Sequence, residues 1–578
     1  MSRISPTAER RRRLVTRVIP IVALALVAFI VGLALGSGGS APGAHRFLDA
    51  WERGETEEMY AELTPDAQRE YSLDAFERAY GEAARTATIV SVDVGEGDEA
   101  DGGLTAPVEF VTRAFGPLAG ELTLPVSDGA VAWSPNLVYP GLAEDERLSR
   151  RTRAPRRAPI LAADRTPLAQ GPTSSRVVES ADLAVVGEIG SPSKQQEATL
   201  AARGFPPGSL TGTSGLELAF NDRLSGQPGG QLLAVSGNEA SELGGGRVLA
   251  STQPTPGEPV RTNIDPAIQE SAVTALGATY GGVAVLDARK GSVLALAGLA
   301  YSAPQPPGST FKIITTTGAL DADIVKLSDS FPVESSNSEI GREIANAHQE
   351  PCGGTFAESF AQSCNTVFAP LGARLGGEKL VETAEAYGFN APPTLFDPAS
   401  TAAVDPAQSS IPPKLESSVA VGESAIGQGQ VLATPLELAA ISQTVANGGI
   451  RLPNAIAREP ELQPDAAPVQ VTSKETAATL TQLMVGVVDH GTGVAAQLPG
   501  IEVAGKTGTA ELGPKANQPA PKPGEQPELE TDAWFTSFAP AADPKIVVAV
   551  MVVNSDGDGG TVAAPIAREV LADYFEVG

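Results

Sequence analysis

"GIEVAGKTGTAEL", Gly500 to Leu512, admits two readings that lead to different proteins. Gly500, Gly505, Lys506 and Thr507 satisfy the nucleotide-binding spacing G-x-x-x-x-G-K-[ST]. That reading requires the loop to run straight into a helix, whose N-terminus and backbone N–H groups hold the phosphates. Here Thr507 is followed by Gly508 and then by "TAELGPKANQPAPKPGEQPELE", with prolines at 514, 519, 521, 523 and 527. Each proline removes a backbone donor and clashes with the preceding turn, so no helix can form. Residues 501–509 alternate like a strand instead. No nucleotide and no cofactor is expected.

A lysine on a strand needs partners before it means chemistry. One set lies in "PPGSTFKIITTTGAL", where Ser309 and Lys312 stand in an S-x-x-K spacing behind Gly308 and two prolines. Three residues apart at the opening of a helix, the hydroxyl and the amine share a face. A serine hydroxyl is a weak nucleophile and needs a base. A lysine can serve if burial or a nearby cation lowers its pKa, and Lys506 is a candidate for that cation. A third element is Ser363-Cys364-Asn365 in "SFAQSCNTVFAPLG". S-x-x-K alone fits a surface helix pair and S-x-N alone fits an ordinary loop. The order S-x-x-K, S-x-N, K-T-G within one apparent domain carries the weight.

The rest of the chain bounds where this chemistry takes place. With 41 basic and 69 acidic residues the net charge is −28. That excess argues against a nucleic-acid partner, which needs a basic face. Arg3, Arg10 to Arg13 and Arg17 precede an uncharged run, Val18 to Gly36. The run is long enough to span a bilayer, with 1–17 as a cytoplasmic tail, 18–36 as a single anchor and the bulk outside the cell. A cleaved signal peptide is the alternative. Three histidines, His45, His348 and His490, and two cysteines make no zinc site, so no metal is expected. The two cysteines, Cys352 and Cys364, flank a short helical stretch leading into S-x-N. They form either a disulfide or a pair of free, buried thiols.

Periodicity divides the exported part into three. Residues 44–140 read as two helices, the second with Ser72 as N-cap, followed by a curled antiparallel sheet: a small α+β domain. Residues 150–262 are rich in turn residues and read as an extended linking domain. From Thr262 the signal strengthens. A helix starts at Asp265-Pro266, two strands join at Arg289-Lys290-Gly291, strands run through "DAWFTSFAP" and "KIVVAVMVVNS", and a helix closes the chain. This fits one large α/β domain, 263–578, with an antiparallel sheet.

Together, these motifs resemble the transpeptidase domain of penicillin-binding proteins, and "AIGQGQVLATPLELA" (425–439) and "DHGTGVAA" (489–496) agree with it. Residues 44–140, with "WSPNLVYPGL", resemble the NTF2-like N-terminal domain of class B proteins related to staphylococcal penicillin-binding protein 2a, and 150–262 resemble their non-catalytic linker or dimerisation domain. The resemblance implies a membrane-anchored, penicillin-binding D,D-transpeptidase acting on peptidoglycan stem peptides beside division or elongation proteins. Carried over, Ser309 is the nucleophile, Lys312 the base, Ser363 the relay to the departing D-alanine, Asn365 the holder of Lys312 and of the substrate amide, and Lys506 the source of local potential. Thr507 and Thr509 bind the substrate's terminal carboxylate, and Gly508 between them belongs to the same substrate-binding strand. A D,D-carboxypeptidase, a β-lactamase or a β-lactam-binding sensor would carry the same motifs. The family's usual His-Ala-Trp-Phe is Asp532-Ala533-Trp534-Phe535 here, and the Pro-rich insert at 513–531 is long.

Overall fold

Gly54 and Thr64 divide the N-terminal helical stretch into more pieces than periodicity suggests. The computed structural model describes residues 41–100, 102–179, 181, 183–236, 245–514 and 529–577. Helix Pro42–Arg53 ends on Gly54 in the left-handed region (φ 74°), and Thr64 caps a new helix with Pro65 at its first position. Helices Pro42–Arg53, Thr56–Ala61, Pro65–Glu70 and Leu73–Ala87 therefore replace the expected two. Ser72 does cap the last, accepting from the Ala75 N–H at 3.3 Å. An antiparallel sheet follows, in which Gly103–Thr112 pairs with both Ile89–Val94 and Gly116–Ser127. Along its central strand Leu104, Ala106, Val108 and Phe110 alternate into a core of rings, with Phe76 4.8 Å from Trp133 and Phe110 5.0 Å from Tyr139.

This first unit also contains Ala201–Pro206 and Pro228–Gln253. Strand Gly229–Ser236 pairs with Glu146–Arg153 on one side and Arg247–Thr252 on the other, and buries Leu232 and Ala234 in the first unit's core. The stretch 150–262 is thus shared between two units, because its longest strand pairs with residues that precede it.

The second unit comprises Ala154–Leu200, Pro207–Gln227 and the chain from Pro254 onward. Its main sheet has five antiparallel strands in the order Val293–Gly298, Gly281–Asp287, Ile546–Ser555, Leu529–Ala539, Ala504–Pro514. The terminal helices Pro266–Leu276 and Ala564–Phe575 cover one face, over Phe535, Val548 and Val550. Helix Pro435–Ala446 covers the other, over Trp534, Phe538 and Met551. With both faces covered, Ile546–Val552 is buried at every position, and so it reads as an unbroken apolar run. Asp265 caps the first helix and Pro266 opens it. Among the described residues no helix is long and apolar enough to cross a membrane. The expected tail 1–17 and anchor 18–36, and residues 515–528 of the Pro-rich insert, lie outside the described residues.

Candidate active site

Ser309 sits where a loop is pressed against the edge strand of this sheet. Gly308 adopts φ 53°, and a Cβ there would lie 2.5 Å from the Thr509 carbonyl oxygen, so only glycine lets the turn approach so closely. Its N–H donates to the Gly427 carbonyl at 3.0 Å. Ser309 does not open an α-helix directly. Gly308–Phe311 is a 3-10 turn, and the α-helix runs from Lys312 to Asp321. The tighter turn suits an S-x-x-K pair, because side chains three apart eclipse one another in 3-10 geometry.

The strand and two helices bring the other motif residues together. Lys312 is fully buried, and its Nζ donates to the Ser363 carbonyl at 2.7 Å, Asn365 Oδ1 at 2.7 Å and Ser363 Oγ at 3.2 Å. Lys506, also fully buried, donates to Ser363 Oγ at 2.9 Å and to the Thr507 carbonyl at 3.0 Å. Ser363 therefore bridges the two amines, and it is held at φ 60° to do so. No carboxylate lies within ion-pair distance of either amine among the described residues; each instead faces an aromatic ring, Lys312 over Phe368 at 5.3 Å and Lys506 over Phe360 at 5.6 Å.

Electrostatics follow from that enclosure. Burial pushes the Lys506 ammonium down to about 7. Burial, and then the neighbouring Lys506 charge, push Lys312 well below the ordinary lysine range. A neutral Lys312 keeps two N–H donors for its two 2.7 Å acceptors and turns its lone pair toward the third partner, the Ser363 hydroxyl at 3.2 Å, where it can exchange a proton.

Thr507 and Thr509 flank Gly508 on the edge strand. The Thr507 hydroxyl is 2.5 Å from Thr492 Oγ1, and Thr509 Oγ1 accepts from the Gly559 N–H at 3.3 Å. Thr492 and Gly427 were not singled out from sequence, although both lie in segments that carried the resemblance. The capping box of Thr355 and Glu358 starts helix Phe356–Ala361, which leads into S-x-N. Cys352 is disulfide-bonded to Cys364, with Cα atoms 5.4 Å apart, which ties the residue between Ser363 and Asn365 to strand Cys352–Thr355. Asp532, at the departure from His-Ala-Trp-Phe, is fully buried and accepts from the Asn554 N–H at 3.0 Å. Among the described residues no group of three His, Cys, Asp or Glu side chains could hold a metal ion.

With this geometry in view, comparison with known proteins is specific. Residues 281–572 match the family described as penicillin binding protein transpeptidase domain, and 157–262 match the penicillin-binding protein dimerisation domain. Peptidoglycan D,D-transpeptidase PbpA of Mycobacterium tuberculosis is 36% identical over 297 residues, which is 47% of this chain and 55% of that protein. Stage V sporulation protein D of Bacillus subtilis is 34% identical over 282 residues, 46% of this chain and 41% of that protein. The chain thus spans about half the length of the curated relatives it matches. The penicillin G acyl-enzyme complex of M. tuberculosis penicillin-binding protein A superposes with TM-score 0.54 at 27% identity, covering 73% of this chain and 100% of that one. The D,D-transpeptidase domain from Eggerthella lenta gives 0.56 at 27%, covering 73% and 98%. A glycine-led S-x-x-K turn, two buried lysines meeting at one serine and a matching domain pair have a single common explanation: the chain belongs to the class B penicillin-binding proteins.

Proposed function

We propose that the chain is a serine-type D,D-transpeptidase that cross-links peptidoglycan stem peptides and is acylated by β-lactams. The observation that carries this reading is the convergence of two buried amines, unpaired with any carboxylate among the described residues, on Ser363. Ser309 Oγ attacks the carbonyl carbon between the two terminal D-alanines and gives its proton to Lys312 Nζ. The backbone N–H groups of Ser309 and Thr509 receive the oxyanion, at about 3 kcal/mol per donor. The C–N bond breaks as Ser363, hydrogen-bonded to both lysines, relays a proton to the departing D-alanine amine. Thr507 and Thr509 hold the terminal carboxylate in the field of Lys506. An amine from a second stem peptide then attacks the ester carbonyl, closes the cross-link and returns the proton to Ser309 Oγ.

The same reading makes 18–36 a single membrane anchor with the N-terminus in the cytoplasm and the catalytic domain outside. It makes 44–140 an NTF2-like pedestal without catalytic side chains, and it makes division or elongation proteins the partners. Support for the anchor is the arginine-flanked apolar run; support for the pedestal is the helices-then-sheet order of the first unit, whose core is built from rings.

The test is incubation of the full chain with a thioester donor and a D-amino acid acceptor. The exchange product is expected, and its loss in Ser309→Ala together with loss of fluorescent-penicillin labelling. Free acid without exchange would make the chain a hydrolase, neither product would make it a binder, and full labelling of Ser309→Ala would reject the nucleophile.

A further inference from the structure

The segment between helix Lys312–Asp321 and S-x-N includes a small hairpin whose root and tip are fastened to two helices that pack against each other, Asn365–Leu375 and Ser418–Ala425. Its strands are Ser336–Asn337 and Ile344–Ala345. At the root, Asn365 Nδ2 donates to the Ala345 carbonyl at 3.0 Å, while Asn365 Oδ1 accepts from Lys312. The next residue, Asn346, accepts from the Thr366 N–H at 3.1 Å and the Thr366 hydroxyl at 3.2 Å. At the tip, Arg342 is ion-paired with Glu423 on helix Ser418–Ala425. Ile340, only 5% exposed, packs over Gly422: a Cβ there would be 2.7 Å from Ile340 Cδ1. That helix leads directly to Gly427, whose carbonyl accepts from Gly308, the residue before Ser309.

We propose that this hairpin is a positioning strap for Asn365, with Ile340 and Arg342 as its fastening residues. The inference rests on the transpeptidase reading and adds residues that touch neither substrate nor reacting atoms. The side-chain amide of Asn365 has two bonds to keep, one to Lys312 and one to the strap. Fixing the Ala345 carbonyl fixes the amide plane, and with it the acceptor aimed at Lys312. The Arg342 guanidinium is largely exposed, so its pair contributes little by itself and works by holding the tip down over the buried Ile340.

The expected signature separates positioning from simple destabilisation. Asn365 Oδ1 favours the protonated form of Lys312, because an acceptor stabilises an ammonium more than an amine. A released strap withdraws that acceptor, lowers the Lys312 pKa and moves the acidic limb of the acylation profile to lower pH. Direct loss of the Arg342 charge would act in the opposite direction. The charged group that faces Lys312 is Lys506, which no variant here alters.

The experiment measures the acylation rate constant of the full chain with fluorescent penicillin as a function of pH, for wild type, Arg342→Met, Ile340→Ala and the exchange pair Arg342→Glu with Glu423→Arg. Arg342→Met should slow acylation by about two- to fivefold and Ile340→Ala by about tenfold or more. Both should shift the acidic limb downward, and the exchange pair should recover most of the rate. Wild-type rate and limb in Arg342→Met, or a lower rate with an unshifted or upward-shifted limb, would overturn the strap while leaving the transpeptidase reading intact. A wild-type chain that takes no label at Ser309 removes both. If Ile340→Ala does not fold, the surface Arg342 variants decide the matter.

Discussion

Two places in the second unit bury positive charge, and they treat it in opposite ways. Near the start of the unit Glu217, fully buried, accepts from Arg157 Nε and Arg176 Nε, both at 2.6 Å. Arg157 also reaches the Glu217 carbonyl and Asn221 Oδ1 at 2.9 Å, and Arg176 reaches the Ala158 carbonyl at 2.8 Å. At the site, Lys312 and Lys506 face neutral oxygens, rings and each other, with no carboxylate in ion-pair reach among the described residues. A guanidinium cannot shed its proton, so burying it demands a carboxylate. An amine can shed its proton, so leaving it without a carboxylate turns burial into a lowered pKa. One arrangement holds the chain together, and the other suits the base of the proposed mechanism.

The strongest way to test that contrast is to remove one member from each group. Lys312→Met should slow penicillin acylation by about a hundredfold to ten-thousandfold, while thermal stability stays level or rises, because an amine without a counter-charge has left the interior. A large fall in melting temperature with acylation retained would reverse its assignment. Glu217→Gln should do the converse. It strands two buried guanidiniums and should lower stability by about 3–5 kcal/mol, measured by denaturant unfolding, with the remaining folded protein acylating at the wild-type rate. A stability change within error would show that Glu217 holds nothing.

A subtler effect separates the two groups by pH. Lys506 titrates near 7 in the folded chain against 10.5 when unperturbed. Between those values the unfolded chain binds more protons than the native one, so stability rises with pH across that window. Below about 7 both forms are protonated and the cost of the buried charge is complete. The slope should reach at most about 1.4 kcal/mol per pH unit for each such lysine. Lys506→Met should flatten it, and Glu217→Gln should leave it unchanged. A slope that persists in Lys506→Met, Lys312→Met and the double variant would mean that neither amine is depressed.

The sequence carries this site better than it carries the architecture around it. Ser309, Lys312 and Lys506 were legible because Gly308, the S-x-x-K spacing and the proline-blocked helix after Thr509 are local signals. The 3-10 turn at Gly308–Phe311 was not, since S-x-x-K suits either helix type. The pairing of Glu146–Arg153 with Gly229–Ser236 joins segments about eighty residues apart, and no periodicity records such a partner. For the same reason, Thr492 beside Thr507 and the fastening of Ile340 over Gly422 became visible only in three dimensions. Helices Pro42–Arg53 and Thr56–Ala61 read as one because the apolar spacing from Phe47 to Leu63 runs through Gly54, and Pro65–Glu70 is too short to show a period of its own.

The strand that carries Lys506, Thr507 and Thr509 is the last of its sheet, so among the described residues one side of its backbone has no strand partner. Proteins commonly guard such edges with prolines, outward lysines or bulges, because an open edge templates pairing with a second chain. From Gly505 to Thr509 there is no such guard: the one lysine points inward and there is no proline. On the proposed transpeptidase reading, an enzyme that must admit an extended peptide cannot close the edge, and so it would keep a sticky seam in its native state. Colloidal behaviour and catalysis are thereby joined at one strand. Whatever fills the cleft should also keep the molecules apart.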